Sequence, residues 1–581
     1  MDFGRRASWI GRVGVQGRRW LPAVAAYAGC AVAAALIFLP VALERAVEGV
    51  HFSDRLGTFP VEVSLCHNGR STLDTGLFGK VYWDRTGSQG FGAYARATGP
   101  PEAGGTLASY VDPAFIEANV VFINDPNRVV GAYSEKFNDG LRTHLLGDEI
   151  PAALVGGAGL FLLLPRRRWR EAPMPRELAV ALLLVAAATG VSSVAAWRMF
   201  EAWPCNGPVA SAYPLSSDPR LSFASPETHE VAEQVQPFIA KNLERSRERA
   251  ERYESAARDS FAVALAARAD DLAPQPGERI ILAEADPQGS FVGVHVRTDL
   301  YADLVAALGR DAFALRTIAG DVTSNGTVAE AGYVAAESEV FEDLPVAAVG
   351  GDHDSTATRQ QLEDDGVLLP DPDSLEVDGL RVSGYDDREH KTLFGGIITN
   401  ESGITEQELG AQLRDAVDER PRVVLLHQPD AVAGYLGLDS LESLRSLRGS
   451  ATVPYDDGIP DLPPGIVDVG HLHEQDGPWV VWNTDGDQVT WTVVDQLGTA
   501  GGVENQPSFN RFSTPTSPPL KQLMVRLQYV DTASGLQTGY ATVACNLGGT
   551  CTISDRVDVG LVTGRARQAR GAAQPGSRPN T

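Results

Sequence analysis

Apolar and polar positions are unevenly distributed along the chain, and three apolar runs stand out near its start. Residues 20–43 contain no charge over 24 positions, residues 150–164 form a shorter run of 15, and residues 178–197 are again free of charge. A helix rises 1.5 Å per residue and about 20 apolar residues cross a bilayer core, so the pattern predicts three transmembrane helices. The first run is too long for a cleaved signal peptide and lacks a small-x-small site after it. Between the first two runs, 44–149 carries short β-type stretches at 61–65, 81–84 and 120–123 separated by Gly and Pro, which predicts a small β-rich extracellular insertion. Residues 198–275 predict a juxtamembrane helical neck, with helical periodicity over 226–273 and dense Arg/Glu pairing at 241–253. From 276 to 480 strand-like and helix-like runs alternate, the pattern of an α/β domain. Residues 481–564 are mostly strand-like, either a separate module packed against the α/β domain or a carbohydrate- or partner-binding domain. The basic, Gly/Ala/Pro-rich tail 565–581 has the composition of a disordered segment.

Charge gives these runs an orientation. Arg5, Arg6, Arg12, Arg18 and Arg19 precede the first run, and Arg166, Arg167, Arg168, Arg170 and Arg176 fill the link between the second and third. Lys and Arg beside membrane spans stay cytoplasmic. Both clusters can be inside only if the short run 150–164 also crosses. The expectation is therefore a multi-pass cell-membrane protein with 1–19 and 165–177 in the cytoplasm, the bilayer as its first partner, and 44–149 and the large C-terminal domain outside. The whole chain carries 49 Lys+Arg against 75 Asp+Glu over 581 residues, a formal charge of −26. That excludes a nucleic-acid binder working by bulk charge, and the length excludes a small disulfide scaffold. Of five cysteines, Cys30 lies in the first span, while Cys66, Cys205, Cys545 and Cys551 would face an oxidising compartment. Cys545 and Cys551 flank a Gly-rich turn and suit a local disulfide, which leaves Cys66 with Cys205; four free thiols is the alternative.

The residues able to carry chemistry sit at the ends of apolar runs in the α/β region. Gly320-Asp321 follows 313–319. Gly351-Asp352-His353-Asp354 follows 346–349. His427 follows 423–426, and Gly470-His471-Leu472-His473 follows 465–469. The carboxyl ends of strands in an α/β sheet are where ligands bind, and such ends converge from distant parts of a chain. Imidazoles and carboxylates brought together there make a metal site. The sequence shows no phosphate-binding glycine loop, no dinucleotide fingerprint, no nucleophile elbow and no zinc-ribbon cysteine pairs.

In order and spacing, these segments resemble the calcineurin-like metallophosphoesterase family over 280–475, about a third of the chain. The resemblance implies a two-sheet α/β sandwich flanked by helices, two divalent ions about 3.5–4 Å apart, and hydrolysis of a phosphate ester. It implies that Asp321 bridges the ions, that Asp352, His427 and His471 complete one shell, and that His473 serves the other. His353 would protonate or stabilise the leaving group, and Asp354 would orient His353.

Two positions depart from the family pattern. Where the family has Asp-x-His after the first strand, this chain has Glu284-Ala285-Asp286, and Asp352 stands where the family has Asn. Glu284 and Asp286 as substitutes would give four carboxylates, neutralising two divalent ions and favouring Mn, Mg, Ca or Fe over Zn. Arg388 and His390, in the charged stretch 386–391, could contact substrate phosphate, or the stretch could be a solvated loop. The expected function is a membrane-anchored extracellular phosphoesterase. The alternative is a catalytically impaired surface receptor or scaffold of the same fold. Three spans free of charge argue against a transporter or channel.

Overall fold

The computed structural model describes residues 7–98, 126–163, 185–198, 212–501 and 522–559. Within these ranges 57–58, 67–69, 75, 77–78, 84–91, 188, 218, 220, 325, 342, 373–374, 392–397, 401, 418–419, 421, 447–458, 460–461 and 486–487 are excepted. The chain forms two compact units, one of 1–54, 60–100 and 130–236, the other of 55–59, 101–129 and 237–581.

In the first unit, a helix over Ala7–Gly49 contains the first apolar run. A second helix, Pro126–Pro151, passes through a π-helical turn at Ala152–Gly156 into Gly157–Leu163. Among the described residues, two helices are long and apolar enough to cross a membrane, Ala23–Gly49 and Tyr133–Leu163. The expected second span is thus only the end of a longer helical segment, and 126–149 is helical where β structure was expected. The third run, 178–197, lies partly outside the described residues; 185–187 and 189–198 are helical, and Thr189 Oγ1 donates to the Leu36 carbonyl at 3.0 Å. The first two helices approach closely because glycine faces alanine: a Cβ on Gly157 would lie 2.6 Å from Ala31 Cα. Their outer apolar side chains stay uncovered, Leu163 being 80% exposed.

This unit also holds a seven-stranded sheet. Its strands are β1 (His51–Leu56), β2 (Phe59–Cys66), β3 (Ser71–Asp74), β4 (Lys80–Trp83), β5 (Gly92–Ala97), β6 (Tyr213–Pro214) and β7 (Leu221–Phe223), in the order β1-β2-β5-β3-β4-β7-β6. The expected strands at 61–65 and 81–84 fall in β2 and β4, while 120–123 lies outside the described residues. β6 and β7 come from the expected helical neck. β7 pairs antiparallel with β4, Val81 opposite Phe223, so segments 120 residues apart and more complete one sheet. Cys205 and the Cys66 side chain lie outside the described residues, and with them the expected Cys66–Cys205 pair.

The helix Pro226–Ala266 leads into the second unit. Tyr253, Ala257, Phe261 and Leu265 recur every four residues and are all buried, so this half of the neck is core rather than a solvated face. One sheet has the order β10-β9-β8-β19-β20-β21, with β22 also on β20. Its strands are β8 (Glu278–Glu284), β9 (Phe313–Ala319), β10 (Val346–Val349), β19 (Leu523–Asp531), β20 (Gln537–Cys545), β21 (Cys551–Ile553) and β22 (Val557–Asp558). The other has the order β11-β12-β15-β16-β18-β17. It is built from β11 (Leu375–Val377), β12 (Leu380–Gly384), β15 (Arg422–Leu426), β16 (Gly465–Val469), β17 (Asp476–Asp485) and β18 (Gln488–Gln496). A two-strand hairpin, β13 (His390–Lys391) with β14 (Ile398–Thr399), stands apart.

Ile281, Leu315 and Val349 of the first sheet pack with Val382, Leu425 and Ile466 of the second, so the two sheets share one apolar layer. Helices cover the outer faces: Phe291–Leu308 and Ala331–Ser338 on the first sheet, Glu406–Ala416 and Pro429–Leu436 on the second. A buried polar seam also crosses between them: Arg526 grips Asp495 at 2.7 and 2.8 Å, and Gln528 donates to Asp468 at 2.7 Å. The region after 480 is therefore no separate module. The expected boundary at 480/481 falls inside β17, and β19 is the antiparallel neighbour of β8. Cys545 and Cys551 form the expected disulfide, joining β20 to β21.

Candidate metal centre

Five parallel strands, three from one sheet and two from the other, end at one place. β8 runs on to Asp286, β9 to Asp321, β10 to Asp352 and His353, β15 to His427, and β16 to His471 and His473. The backbone turns sharply there. Asp286, Gln288, Asp321, His471 and His473 have φ between 42° and 70°, and they are five of the six non-glycine residues with positive φ among those described. This left-handed region is unfavourable for residues bearing a Cβ, and such strain concentrates at functional sites. Two glycines make room for the cluster. A Cβ on Gly320 would sit 2.4 Å from the His427 ring, and one on Gly351 would sit 2.3 Å from Asp321 Oδ1. That is the physical content of the Gly-Asp pairs in the sequence.

The side chains form three overlapping groups of possible ligands: Asp352, His427 and His471; Asp286, Asp321 and His473; and Asp321, Asp352 and His353. In the first, Asp352 Oδ1, His427 Nε2 and His471 Nδ1 are mutually 3.3 Å apart. Ligands about 2.1 Å from one ion are separated by roughly 3.0–3.4 Å in octahedral or tetrahedral geometry, so the spacing fits an ion at the centre. Asp321 Oδ1 lies 3.3 Å from His427 Nε2, and Asp286 Oδ1 lies 3.5 Å from His473 Nε2. Asp321 belongs to two of the three groups, and through His427 it also reaches the remaining one.

Neighbouring backbone orients these groups. His427 Nδ1 donates to the Ala319 carbonyl at 2.9 Å, which turns Nε2 toward the carboxylates. His353 Nδ1 donates to the Ser324 carbonyl at 2.8 Å, and its Nε2 is buried with no hydrogen-bond partner. The His471 amide donates to Asp286 Oδ1 at 3.0 Å, and Asp286 Oδ2 is likewise buried without one.

Without an ion, protons take up the charge. Burial pushes the Asp286 carboxyl up to about 8, with Asp321 and Asp352 adding to the rise and His427 opposing it. Burial opposes charge on His427, but the carboxylates of Asp321 and Asp387 outweigh it and raise the imidazole well above its usual range. Burial also works against ionised Asp321 and Asp352. His427 and His353 nevertheless hold Asp321 below the ordinary carboxylate range, and hydrogen bonds from His427 and His471 do the same for Asp352. Cations would replace these protons.

Two expected roles are corrected. Glu284 is not in the cluster. Its carboxylate is fully buried among Arg297, at 2.6 Å, Arg316, at 3.2 Å, and the Tyr301 hydroxyl. Glu337 completes the quartet, accepting from Arg297 at 2.6 and 2.7 Å, from Arg316, and from Tyr333 at 2.7 Å. With Glu284 accounted for, the ligand groups contain three carboxylates rather than four. Two divalent ions would then keep one uncompensated positive charge. The Asp354 carboxylate is not hydrogen-bonded to the His353 ring, whose Nδ1 partner is the Ser324 carbonyl. It accepts from the Val322, Thr323 and Gly351 amides and the Thr323 hydroxyl at 2.7–3.0 Å, clamping the loop after β9 to the loop after β10. Burial, with Asp321 beside it, raises its carboxyl to about 6.

Arg388 and His390 lie together on a cavity of about 120 Å³ that Gly351, Asp354, Arg359 and Asp387 also line, and neither belongs to the ligand groups. Sequence reasoning missed Gln288. It is buried, and its Nε2 donates to Asp321 Oδ2 at 2.8 Å. Its signal was present: Asp286-Pro287-Gln288 has the Asp-x-His spacing with Gln in place of His. No protein-family model matches the chain, and no curated protein matches it.

Proposed function

We propose that this chain is a membrane-anchored hydrolase of phosphate esters that works with two divalent ions, in the manner of the calcineurin-like metallophosphoesterases. The observation that carries this reading is the convergence of Asp286, Asp321, Asp352, His427, His471 and His473 from five strand ends at ion-binding spacing. Asp286, Asp321 and His473 would hold one ion, and Asp352, His427 and His471 the other. Ions bound there polarise phosphoryl oxygens and acidify water. The chain supplies the rest. Asp321, fixed by the His353 amide at 2.9 Å and by Gln288, keeps the two positions together. His353, its Nδ1–H held by the Ser324 carbonyl, presents its Nε2 beside Asp321 and Asp352, where the ring in its imidazolium form can give the Nε2 proton to the departing oxygen and is left neutral. The uncompensated positive charge would attract a phosphate dianion.

The membrane reading draws support from the first unit's sheet. At 27 and 31 residues, its two apolar helices exceed the roughly 20 needed to span. β4 and β7 are hydrogen-bonded neighbours and so lie on one side of the bilayer. The chain between them must then cross an even number of times. If Tyr133–Leu163 crosses, the run 178–197 crosses back. The Arg-rich link falls in the cytoplasm, and the second unit with its disulfide falls outside.

The test is metal content of the purified full chain, with Asp321→Ala and His471→Ala alongside, followed by phosphoesterase assays with Mn²⁺, Mg²⁺ and Ca²⁺. About two ions per wild-type chain, lost in both variants, with ester hydrolysis that follows ion content, is the expected result. A wild type that stays metal-free after incubation with these ions refutes the reading. Stable ion binding without turnover on any phosphate ester would favour the rival reading, a surface receptor with a structural ion.

A further inference from the structure

The cavity of about 120 Å³ beside the ion cluster is lined by polar groups that the cluster does not use. Gly351 joins the two places: it lines the cavity, and a Cβ on it would meet Asp321 Oδ1. Asp387 and Arg388 line the cavity as well. Asp387 is only 4% exposed, and its Oδ2 is buried with no hydrogen-bond partner. Arg388 Nε is also buried and without one. Backbone hydrogen bonds fix the loop that carries both residues. The Gly350 amide donates to Asp386 Oδ1 at 2.7 Å, and the Asp387 amide donates to the Gly350 carbonyl at 3.0 Å. The Arg388 and Glu389 amides donate to Glu406 Oε1 at 2.6 and 2.8 Å. Asp387 is thereby held against the end of β10, beside the turn that bears Asp352. Buried polar groups are almost always paired, so an acceptor and a donor left open on one cavity require a ligand.

We infer that this cavity takes the leaving alcohol, and that Asp387 and Arg388 select one bearing hydroxyls, so that the substrates are phosphate esters of small polyols. This rests on the phosphoesterase reading of the ion cluster and narrows it to a substrate class. A hydroxyl both donates and accepts, which answers an open carboxylate oxygen and an open guanidinium nitrogen together. An ammonium only donates, and an alkyl chain does neither. The volume is the share of roughly four waters, room for a fragment of a few heavy atoms. A plain alkyl alcohol there would leave Asp387 and Arg388 dry and unpaired, and a site built for a hydroxyl rejects the analogue lacking it.

The experiment compares two non-hydrolysable probes that differ only in hydroxyls, 3,4-dihydroxybutylphosphonate and butylphosphonate. Each is titrated calorimetrically into the full chain loaded with Mn²⁺. The dihydroxy probe should bind about tenfold or more tightly than the alkyl one. Asp387→Ala should shrink that preference to about twofold or less while ion content by elemental analysis stays at the wild-type level. Where Asp387→Ala loses its ions, Arg388→Met, which removes the donor and keeps the bulk, decides by the same measure. Equal affinities in the wild type, or a preference unchanged in the deciding variant, overturn the inference and leave the phosphoesterase reading standing. A chain that holds its ions and binds neither phosphonate refutes both.

Discussion

Replacing Glu337 with Gln should destabilise the second unit by about 3 kcal/mol. Glu337 is fully buried and faces two equally buried arginines, Arg297 and Arg316, whose other partner is Glu284. The four charges balance; removing one carboxylate leaves a buried positive charge and turns an amide donor toward guanidinium donors. Two routes give the magnitude. Removing one partner of a buried ion pair costs about 3–5 kcal/mol. Burial works against ionised Glu337, yet Arg297 and Arg316 lower its carboxyl from 4.5 to about 2, a shift worth about 3 kcal/mol at 1.36 kcal/mol per unit. Because this carboxyl is lowered on folding, its contribution is complete above its unfolded value near 4.5 and is lost as pH falls through about 2. A melting scan of the full chain near pH 7 should show the second unit's transition fall by roughly 4 °C, at about 2.1 cal/mol/K of unfolding entropy per residue over 237–581. The same quartet bolts β8 and β9 to the helices Phe291–Leu308 and Ala331–Ser338, and those strands carry Asp286 and Asp321, so ion affinity should fall too. A transition within 2 °C of wild type, or one that falls equally in the wild type between pH 7 and 5, would refute the argument from buried charge.

Asp354→Ala should lower ion retention at both positions by about tenfold although Asp354 is not a ligand, because its carboxylate clamps the loops bearing Asp321 and Asp352; unchanged equilibrium-dialysis affinities would exclude that role. Ion binding at pH 7 should release protons, since Asp286 at about 8 and the raised His427 are both protonated without an ion. Calorimetry in buffers of different ionisation enthalpy should show the Asp286 share of that release decline as pH rises through 8, and a pH-independent value would contradict it. Asp286 is raised on folding, so its stabilising share is complete below its unfolded value near 3.8 and is lost as pH rises through about 8; the ion-free chain should melt lower at pH 9 than at pH 6. Finally, Ser216→Cys should react with an impermeant maleimide on intact cells while Glu171→Cys does not; the reverse pattern, or equal labelling, would sink the assigned topology.

Much of the candidate site was legible because each of its residues closes an apolar strand, and strand ends announce themselves locally by a run of Val, Ile, Leu and Ala followed by Gly and a polar residue. Gly470-His471-Leu472-His473 and Gly351-Asp352-His353 could be found in that way. The choice between Glu284 and Asp286 could not. On a regular strand, residues two apart share a face. The positive φ at Asp286 breaks the alternation, sending Glu284 into the arginine quartet and Asp286 into the cluster. Asp354 misled for a related reason: adjacency to His353 in sequence suggested contact, while the turn directs its carboxylate to the amides of another loop.

By itself the sequence determined the features that depend on neighbours along the chain: the long apolar helices at the start, the strand-then-turn rhythm of the α/β region, the glycines beside the site's carboxylates, and the Cys545–Cys551 bridge across six residues. Only tertiary structure decided pairings between distant segments. β19 inserts beside β8 across some 240 residues, β7 closes on β4 across the intervening apolar helices, and Arg526 finds Asp495 on the facing sheet. A strand's pattern records which face is buried but not which strand lies beside it, and a buried charge records that it needs a partner but not which one.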